Sequence, residues 1–142
     1  VEWTGIGFLS IDKTAPGQGL EVGKKLATLV PITKTLIVVD KDIDVLNRTE
    51  VMQAVGARWQ PYPAAEIIKE ARGMPLDPSA PKRPMSSKIV IDATRQWPEE
   101  GGPAVYPERN RDLLNKLAPE AKKLVDARWE EYMRGWKRDR GW

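Results

Sequence analysis

The chain has 142 residues, 23 basic and 20 acidic side chains, a net charge of +3, and neither cysteine nor histidine. These counts exclude disulfides, Cys/His zinc sites, thiol nucleophiles and histidine bases, so a metal could be bound only by carboxylates. The two charge signs are interspersed, which argues against a nucleic-acid partner. No apolar run approaches the ~20 residues that span a bilayer, and no signal peptide is visible. We therefore expect a cytoplasmic protein without membrane contact.

Strand-like and helix-like segments alternate along the chain. The predicted strands are residues 3–11, 36–39, 66–71 and 88–93, and the predicted helices are residues 20–30, a helix capped by Asn47, residues 108–117 and a long C-terminal helix that begins at Pro119. This alternation predicts an α/β fold with a small, open, mostly parallel or mixed sheet of about four strands and flanking helices. We expect a single α/β domain over residues 1–142, with a polar tail at residues 137–142.

An acidic turn follows the apolar strand 36–39. Asp40, Asp42 and Asp44 alternate as in the first half of a calcium loop, but Val45 stands where that loop needs glycine, and Val51 stands where it needs glutamate. The favoured interpretation is structural, because aspartates accept turn hydrogen bonds and suit a helix N-terminus. Ligands and partners of α/β sheets gather at the carboxyl ends of strands, so we expect this turn at the functional edge.

A glycine-rich turn before the first helix suggests a dinucleotide site as an alternative. Gly17, Gly19 and Gly23 follow a strand and open a helix, and Asp40 lies where a ribose-binding acid would lie. The glycine spacing is one residue too long, however, and the turn from Asp12 separates the strand from the glycines too widely. A glycine-rich loop that caps the helix is the favoured interpretation.

A proline-rich stretch occupies residues 73–87 and contains four prolines. It is too long to be a simple connection in a compact domain, so we expect it to be mobile or functional. Few of its residues are apolar, so the stretch has little surface to bury.

An apolar stripe runs along the predicted C-terminal helix. Its aromatic end consists of Trp129, Tyr132, Met133 and Trp136. Such a stripe can be the core of a domain, but tryptophan and tyrosine are also favoured at subunit interfaces. Both interpretations stay open, and the second predicts a homo-oligomer.

Three segments resemble the C-terminal domain of the UbiD family, whose members are decarboxylases, some acting as carboxylases, that use prenylated FMN. The segment LIVVDKDIDV at residues 36–45 looks like the family's strand and acidic turn, and Ala57 and Arg58 follow as in its Ala-x-Arg-like helix end. The segment SKIVIDATRQW at residues 87–97 is similar to a motif of the family and is the most specific match. The segment FLSIDKTAPGQG at residues 8–19 resembles the family's strand followed by a Pro-Gly helix opening.

The resemblance implies that the catalytic acids, the arginine, the flavin pocket and the divalent-metal ligands lie in a larger N-terminal domain. It therefore assigns no catalytic, cofactor-binding or metal-binding residue to this chain, and it implies that the chain alone is inactive. In the family this domain joins subunits and closes over the catalytic domain. That implies lid contacts at Met74 and Leu76, with an aromatic or unsaturated acid as the substrate of the whole enzyme.

Three hypotheses follow. The chain is a UbiD-type assembly and lid domain, a self-contained dinucleotide-binding domain that uses Gly17 to Gly23 and Asp40, or a non-catalytic subunit that docks on a separate catalytic chain. Because the chain starts at Val1 directly before a strand-like segment, we expect a piece of a longer chain or a processed product.

Overall fold

A computed structural model describes residues 2–3, 5–108 and 110–134 of the chain. The chain divides into two compact units, Val1–Ala104 and Val105–Trp142. The first unit contains the sheet, and the second contains only helices within its described residues. None of the helices in the described ranges is both long enough and apolar enough to cross a membrane.

The first unit is built on a five-stranded mixed sheet with the order β1-β2-β3-β5-β4. The strands are β1 (Glu2–Trp3), β2 (Ile6–Ile11), β3 (Thr35–Asp40), β4 (Ala65–Arg72) and β5 (Met85–Asp92). The central pairs β2–β3 and β3–β5 are parallel, and the outer pairs are antiparallel. The predicted α/β class with an open mixed sheet is therefore confirmed. The fifth strand arises because Gly5, with a φ of 84°, divides the predicted first strand into β1 and β2.

Two helices cover the two faces of the sheet. Alternate residues of β3 point to opposite faces. Leu36 and Val38 belong to one apolar cluster with helix α1 (Gln18–Leu29), and Ile37 and Val39 belong to another with helix α2 (Arg48–Arg58). Helix α2 begins at the predicted cap, where the Asn47 side chain accepts hydrogen bonds from the amides of Thr49 and Glu50 at 3.1 and 3.4 Å.

The proline-rich stretch is shorter than predicted, because β5 starts at Met85. The proline-rich loop therefore comprises residues 73–84. Glu70 adopts a φ of 51° at an irregularity in β4. Beyond it the strand resumes, so that Ala71 and Arg72 pair with Ser86 and Met85. This pairing extends β4 and β5 past the ends of the other strands.

The second unit contains helices α3 (Asn110–Leu117), α4 (Pro119–Ala127) and α5 (Trp129–Tyr132). Pro119 begins α4 as predicted, but the predicted long C-terminal helix is divided at Arg128. The Arg128 amide is shared between the carbonyls of Leu124 and Val125, both at 3.2 Å, and this ends the regular helical pattern. None of the residues whose burial is described in this unit is fully buried.

Candidate functional site

Two arginines, Arg58 and Arg95, bind the aspartates of the acidic turn at the carboxyl-terminal edge of the parallel strands. The buried Asp40 carboxylate accepts from Arg58 Nη1 at 2.7 Å and from the Arg95 amide at 2.8 Å. Asp42 forms a two-point ion pair with Arg58 at 2.9 and 2.8 Å and accepts from Arg95 Nη2 at 2.7 Å. Hydrogen bonding by Arg58, against the opposing effect of burial, lowers the pKa of Asp42 to about 2.

The same arginines limit what this edge of the sheet can bind. The carboxylates of Asp40 and Asp42 both accept hydrogen bonds from guanidinium groups, and Asp44 accepts from the Leu46 amide at 2.9 Å within its turn. A ribose hydroxyl or a calcium ion would have to displace these bonds. Among the described residues, no group of three or more acidic side chains could hold a metal ion.

A second polar network lies beside the first and was not predicted. Lys13 Nζ contacts both Glu100 oxygens at 2.8 and 2.6 Å, and both side chains are almost fully buried. Glu100 also accepts from the amides of Gly17 and Trp97, each at 2.7 Å. Burial disfavours the charged carboxylate, but the hydrogen bonds of Lys13, Trp97 and Gly17 outweigh it, so the pKa of Glu100 is lowered. The network ties the loop after β5 to the start of α1.

The glycines of α1 are used for packing. A Cβ atom at Gly19 would lie 2.2 Å from the buried carboxyl group of Asp92, and one at Gly23 would lie 2.4 Å from Val90 Cγ1. Both positions therefore bring the helix close to β5. Gly17 takes the left-handed conformation at the N-cap, with a φ of 73°. With Asp40 bound by Arg58, this geometry weighs against the dinucleotide hypothesis.

The candidate site is a cavity of about 330 Å³ at the opposite, amino-terminal edge of the parallel strands. One wall is the segment before β3, including Ile32, Thr33 and Lys34, and the other is the proline-rich loop, including Met74 and Asp77. Its lining combines apolar residues such as Met74 and Ile32 with polar ones such as Lys34 and Asp77. The acidic turn, where the sequence predicts the functional edge, lies at the opposite end of these strands.

Asp77 organises the proline-rich loop beside this cavity. Its side chain accepts from the Ser79 amide at 2.9 Å and from Lys34 Nζ at 3.2 and 2.9 Å, although Asp77 is only 6% exposed. The Lys34 ammonium also hydrogen-bonds the Ser79 hydroxyl. Hydrogen bonds from Lys34 and Ser79 lower the pKa of Asp77 to about 2. The carboxylate therefore stays ionised at neutral pH.

The predicted lid residues lie on this loop. Met74 lines the cavity and is half-buried, and Leu76 is 76% exposed. No local pattern singles out the pairing of Lys34 with Asp77, because their contact joins positions 43 residues apart. The local signal for Asp77 alone is the segment Pro-Leu-Asp-Pro-Ser at residues 75–79, since aspartate favours such turns.

The predicted interface residues lie in the second unit. Trp129 is 51% exposed and Tyr132 is 48% exposed, and both belong to α5, whereas Met133 follows that helix and is half-buried. Trp136 lies outside the described residues. The structure thus brings Trp129, Tyr132 and Met133 together on one short segment.

The described residues do not fit a flavin or a resident metal. The one glycine-rich helix start packs on β5. At the carboxyl-terminal edge, Asp40, Asp42 and Glu100 are paired with Arg58, Arg95 or Lys13, and the buried Asp92 accepts from the Thr94 amide and hydroxyl. The carboxylate of the cavity, Asp77, is paired with Lys34.

Comparison with known proteins identifies the family. The family model of the 3-octaprenyl-4-hydroxybenzoate carboxy-lyase C-terminal domain (UbiD) matches residues 1–93. Anhydromevalonate phosphate decarboxylase of Archaeoglobus fulgidus is 38% identical over 93 residues, which are 66% of this chain and 21% of that protein. The chain spans about a quarter of the length of the first curated relatives it matches.

Solved structures agree with this assignment. The UbiD-class enzyme HmfF from Pelotomaculum thermopropionicum, in complex with FMN, matches with a TM-score of 0.64 and 32% identity over 72% of this chain and 22% of that chain. Vanillic acid decarboxylase of Sedimentibacter hydroxybenzoicus matches in its closed form with a TM-score of 0.65 and 32% identity, over 83% of this chain and 26% of that chain. Its open form matches with a TM-score of 0.67 and 28% identity, over 89% of this chain and 27% of that chain. The chain therefore belongs to the UbiD family, in which it corresponds to the C-terminal domain.

Proposed function

We propose that this chain is the assembly and lid part of a UbiD-like decarboxylase or carboxylase, whose catalytic residues lie outside it. The observation that carries the proposal is the match of residues 1–93 to the family's C-terminal domain, in a chain that spans about a quarter of its relatives. Asp40, Asp42, Glu100 and Asp77 are each paired with arginine or lysine, which supports a non-catalytic role for these four carboxylates, because a general acid or base needs an available proton site.

The lid role is assigned to the proline-rich loop. Met74 lines the cavity, and the exposed Leu76 projects apolar surface that a neighbouring catalytic part can cover. Vanillic acid decarboxylase has both an open and a closed form, which supports movement of this domain during the catalytic cycle. In the closed state, the loop would exclude water from the substrate.

The cofactor is assigned to the catalytic part. The FMN complex of HmfF supports a flavin in the whole enzyme, and we propose prenylated FMN with a divalent metal there. The cofactor would supply the electron sink for loss of carbon dioxide from an aromatic or unsaturated acid, or for carboxylation of a phenolic substrate. This chain would position the lid and hold the assembly together.

The assembly role is assigned to the second unit. Trp129, Tyr132 and Met133, with Trp136 beyond the described residues, are proposed to contact a second copy of the chain. Large exposed aromatic surfaces are typical of interface anchors, and Trp129 and Tyr132 are each about half exposed. The proposed partners are thus the UbiD-like catalytic domain or subunit and another copy of this chain.

Amide exchange tests the lid role. In the isolated chain, the amides of the proline-rich loop should exchange faster than those of β3. Adding a separately expressed flavin-binding UbiD part from the same organism should slow exchange at Met74 and Leu76, with β3 unchanged as the internal control. A chain that binds the catalytic part through residues 105–142 alone, with no protection of the loop, would instead favour the docking-subunit hypothesis.

A further inference from the structure

The placement of the lid depends on one ion pair. We infer that Lys34 and Asp77 are positioning residues, which fix the anchored segment (residues 74–80) against the sheet and thereby determine where Met74 and Leu76 meet the catalytic part. This inference rests on the proposed lid function. It adds the residues that set the geometry of the lid without touching the substrate.

Asp77 is the centre of the anchored segment. Its amide donates to the Met74 carbonyl at 3.1 Å, and its own carbonyl accepts from the Ala80 amide at 3.3 Å. Its carboxylate binds the Ser79 amide and hydroxyl at 2.9 and 2.8 Å. A displacement of Asp77 would therefore move the entire segment, including Met74.

Lys34 is the fixed end of the pair. Its amide donates to the Gly5 carbonyl at 2.7 Å, and its carbonyl accepts from the Ile89 amide at 2.9 Å. These bonds hold the Lys34 backbone between two neighbouring strands. The ammonium group then reaches both Asp77 carboxylate oxygens, at 3.2 and 2.9 Å.

Lys34 supplies the hydrogen bonds that link the anchored segment to the sheet. Its ammonium binds the Asp77 carboxylate and the Ser79 hydroxyl. Within the described residues, the other hydrogen bonds of the segment stay inside the loop, such as that from Arg83 Nε to the Asp77 carbonyl at 3.2 Å. Met74, Ile32 and Thr33 line the same cavity of about 330 Å³, so open space remains beside the segment. The charge-assisted hydrogen bonds of Lys34 therefore contribute to the position of the segment in addition to the burial of Asp77.

Two variants of Lys34 test the inference. Lys34→Met keeps the aliphatic stem and removes the charge, whereas Lys34→Arg keeps the charge. Lys41→Met is the matched control, because Lys41 forms an exposed ion pair with Asp12 at 2.7 Å at the other edge of the sheet. Each variant is made in the 142-residue chain and in the enzyme assembled with its catalytic part.

The first measurement is amide exchange in the chain alone. In Lys34→Met, exchange at Asp77, Ser79 and Ala80 should accelerate by about tenfold or more, as expected for loss of a hydrogen bond to a charged group. Lys34→Arg and Lys41→Met should stay within about threefold of wild type at these amides. Unchanged exchange in Lys34→Met would overturn the inference.

The second measurement is the steady-state kinetics of the assembled enzyme. Lys34→Met should raise KM by about tenfold and lower kcat less, because it misplaces a substrate cover without removing a reacting group. Lys34→Arg should restore KM. Faster exchange with an unchanged KM would contradict positioning. A wild-type assembly without turnover would overturn the lid function, on which this inference rests. Faster exchange in Lys34→Met of the chain alone would then show that the ion pair positions the loop although the loop is not a lid.

Discussion

Arg58 and Asp42 form a two-point ion pair, with Nη1–Oδ1 and Nη2–Oδ2 distances of 2.9 and 2.8 Å. Arg58 also reaches the buried Asp40 at 2.7 Å, so one guanidinium group compensates two carboxylates at the end of β3. The acidic turn thus connects the sheet to the end of helix α2 through ion pairs.

Loss of the ion pairs of Arg58 should destabilise the first unit. Arg58→Met leaves Asp40 and Asp42 without their shared cation, and removal of one partner of a buried pair typically costs about 3 kcal/mol or more. Arg95→Met is the control and should cost about 1 kcal/mol, because the Arg95 side chain is partly exposed. Urea unfolding measures both. Equal effects of the two variants would contradict the central role of Arg58.

The same carboxylates predict how stability depends on acid. The folded-state pKa values of Asp42 and Asp77 are each about 2, below the value of about 3.9 expected in the unfolded chain. A depressed pKa stabilises the folded state above the unfolded pKa, and this contribution is lost as pH falls from about 4 to about 2. Urea midpoints should drop through that range. In a variant with both Asp42→Asn and Asp77→Asn the drop should be smaller, and an unchanged drop would refute the assignment.

Gly19 should tolerate no side chain. Gly19→Ala places a Cβ against the buried carboxyl group of Asp92 and should destabilise the chain by about 2 kcal/mol or more. Gly56→Ala is the matched control in helix α2, where a Cβ would meet no atom within 4 Å. The control should be neutral or stabilising by up to about 1 kcal/mol. Thermal unfolding compares the midpoints of the two variants with that of the wild type. A separate titration with NAD should leave the wild-type midpoint unchanged, and an increase would support the dinucleotide hypothesis.

The aromatic residues of α5 should hold a subunit contact. Burial of a large aromatic side chain contributes about 2–3 kcal/mol, so Trp129→Ala with Tyr132→Ala should weaken a dimer by orders of magnitude. Sedimentation should shift from dimer to monomer while the far-UV helix signal is retained. Lys123→Ala removes an exposed ion pair with Glu120 and should leave the dimer intact. Unfolding of the double variant would show that the stripe is core, as the alternative interpretation holds.

Local sequence patterns predicted much of the fold. The apolar run at the centre of β3, the Asn47 cap and Pro119 at the start of α4 act over a few residues, so the structure follows them. The division of the last helix at Arg128 was missed, because an apolar repeat continues across it. The shortened proline-rich loop was missed because pairing resumes after the irregularity at Glu70.

The candidate site was predicted less well, because its contacts join distant parts of the chain. Lys13 and Glu100 are 87 residues apart, and Lys34 and Asp77 are 43 residues apart. Arg58 and Arg95 belong to the stretches that resemble the UbiD family. The resemblance therefore marked both arginines, but not their ion pairs with Asp40 and Asp42. The cavity at the amino-terminal edge was not predicted, because it depends on the three-dimensional arrangement of the proline-rich loop.

The most direct test of the proposed function is decarboxylation measured with prenylated FMN in three samples. They are the chain alone, a flavin-binding UbiD part from the same organism alone, and the two combined. The account predicts no turnover of an aromatic acid by the chain alone and a gain in turnover when the two are combined. Turnover by the chain alone would contradict it.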